Sequence, residues 1–268
     1  MDCDELRTKF EKAFSELLLS YKIDAQPSIS KDKSKYFEEL VLVNKVLQTL
    51  TVKDRKLSLL DVGGGAGNFC VLCKYVFDLD IFMVDRMDEF DPQLNRVMGA
   101  LTDVEARMKR FGIIFEKSDP VNENFFSDQQ FDVIVNFDVI EHLPCGVPHF
   151  LEKLHKRLTK GGHLIVSTPN QCHLFNRLKA VAGINTWEDF NYYITTDVFF
   201  GHIRELTFDE LAKILKPIGD FWLEGHTHLL NPYGKIRLRP NFIKRLAKFI
   251  LDRSFPTLSY QLFAVLRK

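Results

Sequence analysis

The chain has 268 residues, 46% of them apolar, enough to bury one substantial core with a cap or insertions around it. Its 36 Lys and Arg balance 36 Asp and Glu, so no global field recruits a polyanion, and any affinity for nucleic acid or membrane has to come from a local patch. No apolar run approaches the roughly 20 residues of a spanning helix, and the opening Met-Asp-Cys-Asp-Glu-Leu-Arg carries acids where a secretory signal carries cations, so the expectation is a soluble, cytoplasmic protein.

Residues 5–22 and 36–50 read as helices, with Phe10, Phe14, Leu17, Leu18 and Tyr21 at helical spacing on one face. Between them, 24–35 is polar, contains Pro27 and reads as a loop. Residues 1–52 are thus expected to form an N-terminal helical cap. From Leu57 onward strands and helices alternate, the pattern of a doubly wound sheet. Strand 57–62 is followed by helix 68–77, strand 80–84, a long helix 92–111 that starts at its proline, and strand 113–117. Strand 131–136 leads to helix 147–158, closed by Lys160-Gly161-Gly162, and to strand 163–168, which stops at Pro169. Thr207-Phe208-Asp209-Glu210 is a capping box that starts a helix running to Leu215. Residues 221–227 and 258–266 read as two last strands, with a helix over 241–253 between them. Residues 53–268 then make one domain, with insertions at about 171–200 and 229–257.

Five cysteines is an odd number in a chain too large to need staples, which suits a reducing compartment. Cys70 and Cys73 form a lone CxxC inside a helix with no second pair, so packing is their expected role rather than zinc or redox chemistry.

Leu59-Leu60-Asp61-Val62-Gly63-Gly64-Gly65-Ala66-Gly67-Asn68 places glycines where a strand turns sharply into a helix, so missing Cβ atoms let the backbone approach a ligand. Asp85 ends the second strand 20 residues after Gly65, the offset at which an acid accepts hydrogen bonds from both hydroxyls of a ribose. A dinucleotide fingerprint from Gly63 and Gly65 needs glycine at 68, where Asn68 stands, which disfavours nicotinamide. No Gly-Lys-Ser/Thr follows the turn, so the Walker pattern is absent as well.

Here the sequence resembles the class I methyltransferase family, whose first motif, an acid, a spacer and GxGxG, is matched by Asp61, Gly63, Gly65 and Gly67. Asp85 corresponds to that family's ribose-binding acid, and Ser118-Asp119 to the pair that contacts adenine. Residues 131–136 (Phe-Asp-Val-Ile-Val-Asn) resemble the fourth-strand motif, and Leu158-Thr159-Lys160-Gly161-Gly162 the entry to the fifth strand. The likeness covers about residues 57–170 in order. It implies a Rossmann-like, doubly wound, seven-stranded sheet, mostly parallel with an antiparallel last strand. S-adenosyl-L-methionine is the implied cofactor, held by Asp61, Gly63, Gly65, Gly67, Asp85, Ser118, Asp119, Asn136 and Phe137. Its carboxylate would be favoured near the helix N-terminus after the turn, and Asp61 would order the loop and help hold the amino group.

Ligands of open α/β sheets sit outside the carboxyl ends of the strands, so residues 136–143 and 167–170 face the transferred methyl group. Methyl transfer from a sulfonium is an in-line displacement that needs a positioned, deprotonated acceptor, and His142 and His202 are the candidate bases. Gly201-His202-Ile203-Arg204-Glu205-Leu206-Thr207 resembles a segment of family members that modify small molecules, quinone precursors or glycans. Phe175, Trp187, Phe190, Tyr192, Tyr193, Phe199 and Phe200 would suit a lid over an organic acceptor or a plain hydrophobic cap. No metal is favoured. The alternative is that Asp138, Glu141, His142 and His202 resemble the metal ligands of small-RNA 2′-O-methyltransferases, and Glu-x-x-Glu-His also occurs in ubiquinone-pathway O-methyltransferases. Such a metal would lower the acceptor hydroxyl's pKa, although Asp at 138 shortens the reach. Residues 232–268 hold nine Lys or Arg against Asp252 alone, and over 241–253 the cations lie opposite an apolar face. Three readings stay open for that segment: packing with solvated charges, peripheral contact with an anionic membrane, or contact with an RNA backbone. The sequence therefore points to O-methylation of a small-molecule, glycan or lipid-linked acceptor. Metal-assisted RNA methylation and a non-catalytic binding subunit are the alternatives.

Overall fold

The computed structural model describes residues 1–21, 26–50, 55–87, 104–122, 124–126, 129–144, 146–187, 190–195, 201–226 and 255–268. Helix α1 (Cys3–Leu19) starts at Asp2, whose Oδ1 accepts from the amides of Asp4 at 3.0 Å and Glu5 at 2.8 Å. Its Leu6, Phe10, Phe14 and Leu17 are buried, and Phe10 meets Phe37 of α3 (Lys33–Leu47) with ring centroids 5.2 Å apart. The polar stretch between them is helical rather than looped: α2 runs Gln26–Lys31 and buries Ile29. Pro27 lies in the first turn, where a proline's missing N–H costs nothing, so it starts this helix instead of breaking it.

Strand β1 (Leu57–Val62) leads into α4 (Asn68–Val76), then β2 (Leu79–Asp85), α5 (Val104–Arg110), β3 (Ile114–Lys117) and β4 (Phe131–Phe137). Residues 88–103, which hold most of the expected helix 92–111, lie outside the described residues. After a short 3-10 turn, Ile140–His142, come α6 (Val147–Lys156), β5 (Leu158–Pro169), α7 (Leu174–Val181), α8 (Phe190–Thr195), α9 (Phe208–Leu215), β6 (Phe221–His226) and β7 (Gln261–Arg267). The strands form one seven-stranded sheet in the order β3-β2-β1-β4-β5-β7-β6. β1 pairs in parallel with β2 and β4, β2 in parallel with β3, and β7 runs antiparallel to β6. This is the Rossmann-like arrangement that the alternation implies.

Helices α1 and α3 begin and end two to three residues earlier than the spacing predicts, and two further boundaries differ for a local reason. Helix α6 stops at Lys156, and Leu158 already belongs to β5, so Lys160-Gly161-Gly162 is not a helix stop. Gly161 has φ +79°, and a Cβ on Gly162 would meet the Asp132 carbonyl at 2.9 Å; the glycines serve a tight bend at the strand's entry. The last strand begins at Gln261 because Pro256–Leu258 forms a 3-10 turn. The expected helix 241–253 lies outside the described residues, as does most of the insertion at 229–257.

The described residues group into two compact units, Met1–Asn136 with Leu154–Leu164 and Lys268, and Phe137–Lys153 with Ile165–Arg267. In the first, buried Asp132 accepts two bonds from Arg55 at 2.6 and 2.7 Å, one from the Ser58 amide at 2.9 Å and one from Thr159 Oγ1 at 2.9 Å, tying the starts of β1, β4 and β5 together. Burial pulls the Asp132 carboxyl's pKa upward, but these bonds outweigh it and hold the group below its ordinary value. In the second unit, Leu262, Phe263, Ala264, Val265 and Leu266 of β7 are buried, and Leu211 and Leu215 of α9 are buried as well. Among the described residues no helix is long and apolar enough to cross a membrane.

Candidate active site

In the first unit the glycine-rich turn leaves β1 with Gly63, Gly65 and Gly67 all at positive φ. The Gly63 amide donates to the Val84 carbonyl at 2.8 Å, which fastens the turn to the end of β2. Gly67 is the N-cap of α4, and a Cβ there would lie 2.3 Å from Met108 Cε, so the close packing of α5 on the turn requires glycine. At Gly65 an added Cβ would meet nothing within 4 Å, so this face of the turn is open.

Asp85, at the end of β2, faces the turn. Its Oδ2 accepts from the Gly65 amide at 2.8 Å and its Oδ1 from the Met87 amide at 2.8 Å. Asp61 is buried at the end of β1, and its Oδ2 accepts from the Cys70 thiol at 3.2 Å. Burial pushes its pKa up to about 7; the Cys70 hydrogen bond opposes this, and the charge of Asp85 adds to it. Both cysteines of the CxxC are fully buried in α4, and Cys70 donates to Asp61. Ser118 is buried and its amide donates to the Asp85 carbonyl at 3.1 Å. Asp119 caps the turn at Pro120: its two oxygens accept from the Val121 amide and from Asn122 Nδ2, each at 2.9 Å. Asn136 is fully buried at the end of β4. Its Nδ2 donates to the Val62 carbonyl at 2.8 Å, and its Oδ1 has no hydrogen-bond partner among the described residues.

In the second unit, Phe137 is half-buried with its ring edge-on to Phe263, centroids 6.2 Å apart. Asp138 follows at φ +54°, unusual for a residue with a side chain. Its amide donates to the Ser167 carbonyl at 3.2 Å, and its Oδ1 accepts from Ser167 Oγ at 2.9 Å and from Gln261 Nε2. The chain then turns through Ile140–His142. Glu141 is fully buried; Thr168 Oγ1 donates to its Oε2 at 3.2 Å, and its carbonyl accepts from the amides of Ile203 at 2.8 Å and Arg204 at 3.0 Å. Those two amide bonds hold the 201–204 segment against the turn and bring the histidines together, with ring centroids 5.0 Å apart. His142 Nδ1 lies 3.2 Å from the Gly201 carbonyl, and His202 Nδ1 lies 2.7 Å from Glu205 Oε1. One ligand-type atom each from Glu141, His142 and His202 lies within 4.8 Å of the others.

A family model described as a methyltransferase domain matches residues 34–224. The chain belongs to the methyltransferase-domain family. It is an S-adenosylmethionine-dependent enzyme, and S-adenosylmethionine is its cofactor. Among solved structures, an S-adenosylmethionine-dependent methyltransferase from Archaeoglobus fulgidus is 16% identical with a TM-score of 0.50, over 86% of this chain and 94% of that one. A Thermotoga maritima methyltransferase described as a possible histamine N-methyltransferase is 16% identical with a TM-score of 0.49, over 90% and 99% of the two chains. At these identities the likeness concerns fold. No curated protein matches the chain.

Of the residues expected to serve this methyltransferase, Asp61, the turn glycines, Asp85, Ser118 and Asn136 lie at the carboxyl ends of β1 to β4 in the first unit, whereas Asp119 is engaged as a turn cap. In the second unit Glu141, His142 and His202 come together, but Asp138 does not join them, because its carboxylate turns to Ser167 and Gln261. Phe199, Phe200 and the side chain of Tyr192 lie outside the described residues. Two contributors escape a sequence reading. Glu205 sits three residues after His202, a spacing that would have identified it. Arg107 donates to the Ala66 carbonyl of the glycine turn at 2.6 Å, a long-range contact with no local signature.

Proposed function

We propose that this methyltransferase methylates a hydroxyl of a small-molecule, glycan or lipid-linked acceptor, with His202 as the base and His142 beside it. The observation that carries this reading is the His202–Glu205 pair. A carboxylate 2.7 Å from Nδ1 holds a proton on that nitrogen and puts the acceptor lone pair on Nε2, the tautomer a general base requires. The Glu141 carbonyl, through its bonds to Ile203 and Arg204, fixes the segment that carries His202, so the base is held on main-chain hydrogen bonds.

S-adenosylmethionine supplies an electrophilic methyl group for in-line displacement. Several features of the first unit support its place at the glycine turn: the open face at Gly65, the two Asp85 oxygens, and the buried Oδ1 of Asn136, an acceptor suited to an ammonium or hydroxyl donor. Asp61, desolvated beside the turn, gains from any cation brought near it, which is the physical reason to assign it to the methionine amino group.

A second reading is favoured by the 4.8 Å cluster. Glu141, His142 and His202 would hold a divalent metal, with the Gly201 carbonyl and Glu205 orienting the two imidazoles through Nδ1, the outer contacts that metal-ligating histidines usually make. The metal would lower the acceptor hydroxyl's pKa, and a ribose 2′-hydroxyl of RNA would then be a candidate acceptor. The two readings separate in one experiment, transfer of labelled methyl from S-adenosylmethionine into crude extract, with and without chelator, followed by fractionation. Label in the organic or glycan fraction that survives chelation supports the base-assisted reading. Chelator-abolished label in RNA overturns it in favour of the metal.

A further inference from the structure

Every residue from Gly63 to Gly67 except Ala66 is glycine, and Gly63, Gly65 and Gly67 have positive φ, so the turn has little conformational preference of its own. Its shape is set by what holds its polar groups. The Gly65 amide donates to Asp85 and the Gly67 amide to the Gly64 carbonyl at 2.9 Å, while the Ala66 carbonyl accepts from Arg107 Nη1 of α5 at 2.6 Å. That last bond is only as firm as the arginine, a long side chain that loses much rotamer freedom when it is fixed.

Arg107 is fixed by the end of α1. Its guanidinium stacks on the Tyr21 ring, 4.4 Å from the centroid, and Nη1 donates to the Tyr21 hydroxyl at 2.6 Å. Nη2 donates to Asn68 Oδ1 at 3.1 Å and to Ser20 Oγ at 3.3 Å. A guanidinium only donates and an amide oxygen only accepts, so the Tyr21 hydroxyl accepts from Arg107 and donates to Asn68 Oδ1, which requires its proton. Burial keeps that proton in place, raising the Tyr21 pKa although Arg107 opposes the shift. Ser20 is the C-cap of α1 and Tyr21 is the next residue. Undocking this end of α1 therefore takes away the stacked ring and both hydroxyl acceptors of Arg107 together.

We propose that Tyr21 and Arg107 are positioning residues for the cofactor, holding the Ala66 carbonyl so that docking of the N-terminal helices and binding of S-adenosylmethionine strengthen each other. This coupling rests on S-adenosylmethionine binding at the glycine turn. Neither side chain has to touch the cofactor. A turn held by Arg107 is already ordered, so binding carries less of the ordering cost. By reciprocity, a cofactor that binds the ordered turn more tightly strengthens the Arg107–Tyr21 contact by the same factor.

Tyr21→Phe keeps the ring and its stacking and removes only the hydroxyl, whereas Arg107→Lys keeps the charge and removes the fork. In the full chain each is expected to raise the S-adenosylmethionine Kd about five- to fiftyfold in titration calorimetry. Hydrogen exchange reads the reciprocal effect. In the parent, S-adenosylmethionine should slow exchange at the Ser20 and Tyr21 amides, which bond within the last turn of α1, more than at the Leu6 amide in its first turn. At saturating cofactor Tyr21→Phe should abolish that difference, which a general loss of stability would not do. Asp85→Ala, measured alongside, separates two failures. If it weakens binding while either Tyr21→Phe or Arg107→Lys keeps the parental Kd, the cofactor stays at the turn and the coupling is overturned. If all three variants bind as the parent does, the placement fails and the coupling with it. A parent in which the cofactor slows Leu6, Ser20 and Tyr21 equally also overturns the coupling.

Discussion

Replacing Asp85 with alanine tests the proposed placement of the cofactor most directly. The Asp85 carboxylate accepts two main-chain N–H bonds at 2.8 Å, one from Gly65 in the turn and one from Met87. Bonds to an ionised group contribute about 1.5–3 kcal/mol each where they are kept from water. Asp85 is only half-buried, so water replaces part of what is lost, and the folded protein should lose about 1–2 kcal/mol of stability. The larger effect is expected on S-adenosylmethionine, which loses the proposed bonds from its ribose hydroxyls to the same oxygens. That amounts to about 1.5–3 kcal/mol, or roughly a ten- to 150-fold rise in Kd. Titration calorimetry with S-adenosylmethionine reads the second effect and thermal unfolding without cofactor reads the first. Asp85→Asn separates them, since its carbonyl keeps one acceptor for the turn while its amide cannot serve two hydroxyls. A folded Asp85→Ala protein whose Kd stays within about twofold of the parent would refute the ribose assignment.

Gly67→Ala combines a positive φ with a Cβ 2.3 Å from Met108 Cε, and should cost about 2–4 kcal/mol in urea unfolding; a loss under about 0.5 kcal/mol would contradict the packing of α5 on the turn. Asp61 has a folded pKa of about 7 against an ordinary 3.8, so the folded state retains its proton while the unfolded chain ionises, and stability falls as pH rises from about 4 to 7. Asp61→Asn should remove a pH-dependent loss on the order of 4 kcal/mol over that window, and parallel stability curves for the two proteins would exclude a neutral Asp61. At Asp138, glycine tolerates φ +54° but lacks the carboxylate, so Asp138→Gly should be more stable than Asp138→Ala by about 1 kcal/mol in denaturant; the reverse order would mean that the backbone there is unstrained. His202→Asn should reduce turnover by roughly 10²- to 10⁴-fold with S-adenosylmethionine affinity unchanged in calorimetry, and undiminished turnover would remove His202 as the base.

The parts of the fold that the sequence announces are those whose signals are local. Strand β1, its glycine turn and α4 are contiguous, and the apolar run of β4 and the capping box at Thr207 need no distant partner; Thr207 Oγ1 and the Glu210 carboxylate do exchange bonds with each other's amides. Errors arise where one residue type serves two purposes. Pro27 starts α2 although proline also ends helices, and Gly161-Gly162 bends the entry of β5 although paired glycines also stop helices. At the site, chain order identifies the candidate residues but not the direction of their side chains. Asp138 and Glu141 have helical i,i+3 spacing, but the 3-10 turn begins only at Ile140 and Asp138 has a left-handed backbone, so the two carboxylates do not share a face.

Asn68 shows how a residue that disfavours one cofactor takes part in the architecture around the glycine turn. In a dinucleotide-binding turn this position is glycine so that helix and strand pack closely. Here Asn68 is buried, and its Oδ1 accepts from the Tyr21 hydroxyl and from Arg107 Nη2 at 3.1 Å, while its Nδ2 donates to the Tyr36 hydroxyl at 3.1 Å. Arg107 stacks on the Tyr21 ring at 4.4 Å and holds the Ala66 carbonyl with its other nitrogen. The first residue of α4 is therefore fastened to the N-terminal helices on one side and to α5 on the other, with the glycine turn between β1 and this anchor. Because the bonds share donors and acceptors, losing one leaves a buried polar atom of another unsatisfied, so the cost of breaking the network exceeds that of any single bond. The N-terminal helices are thus part of what sets the shape of the glycine turn, where the cofactor is proposed to bind, and the asparagine that breaks the dinucleotide fingerprint is the residue through which they do so.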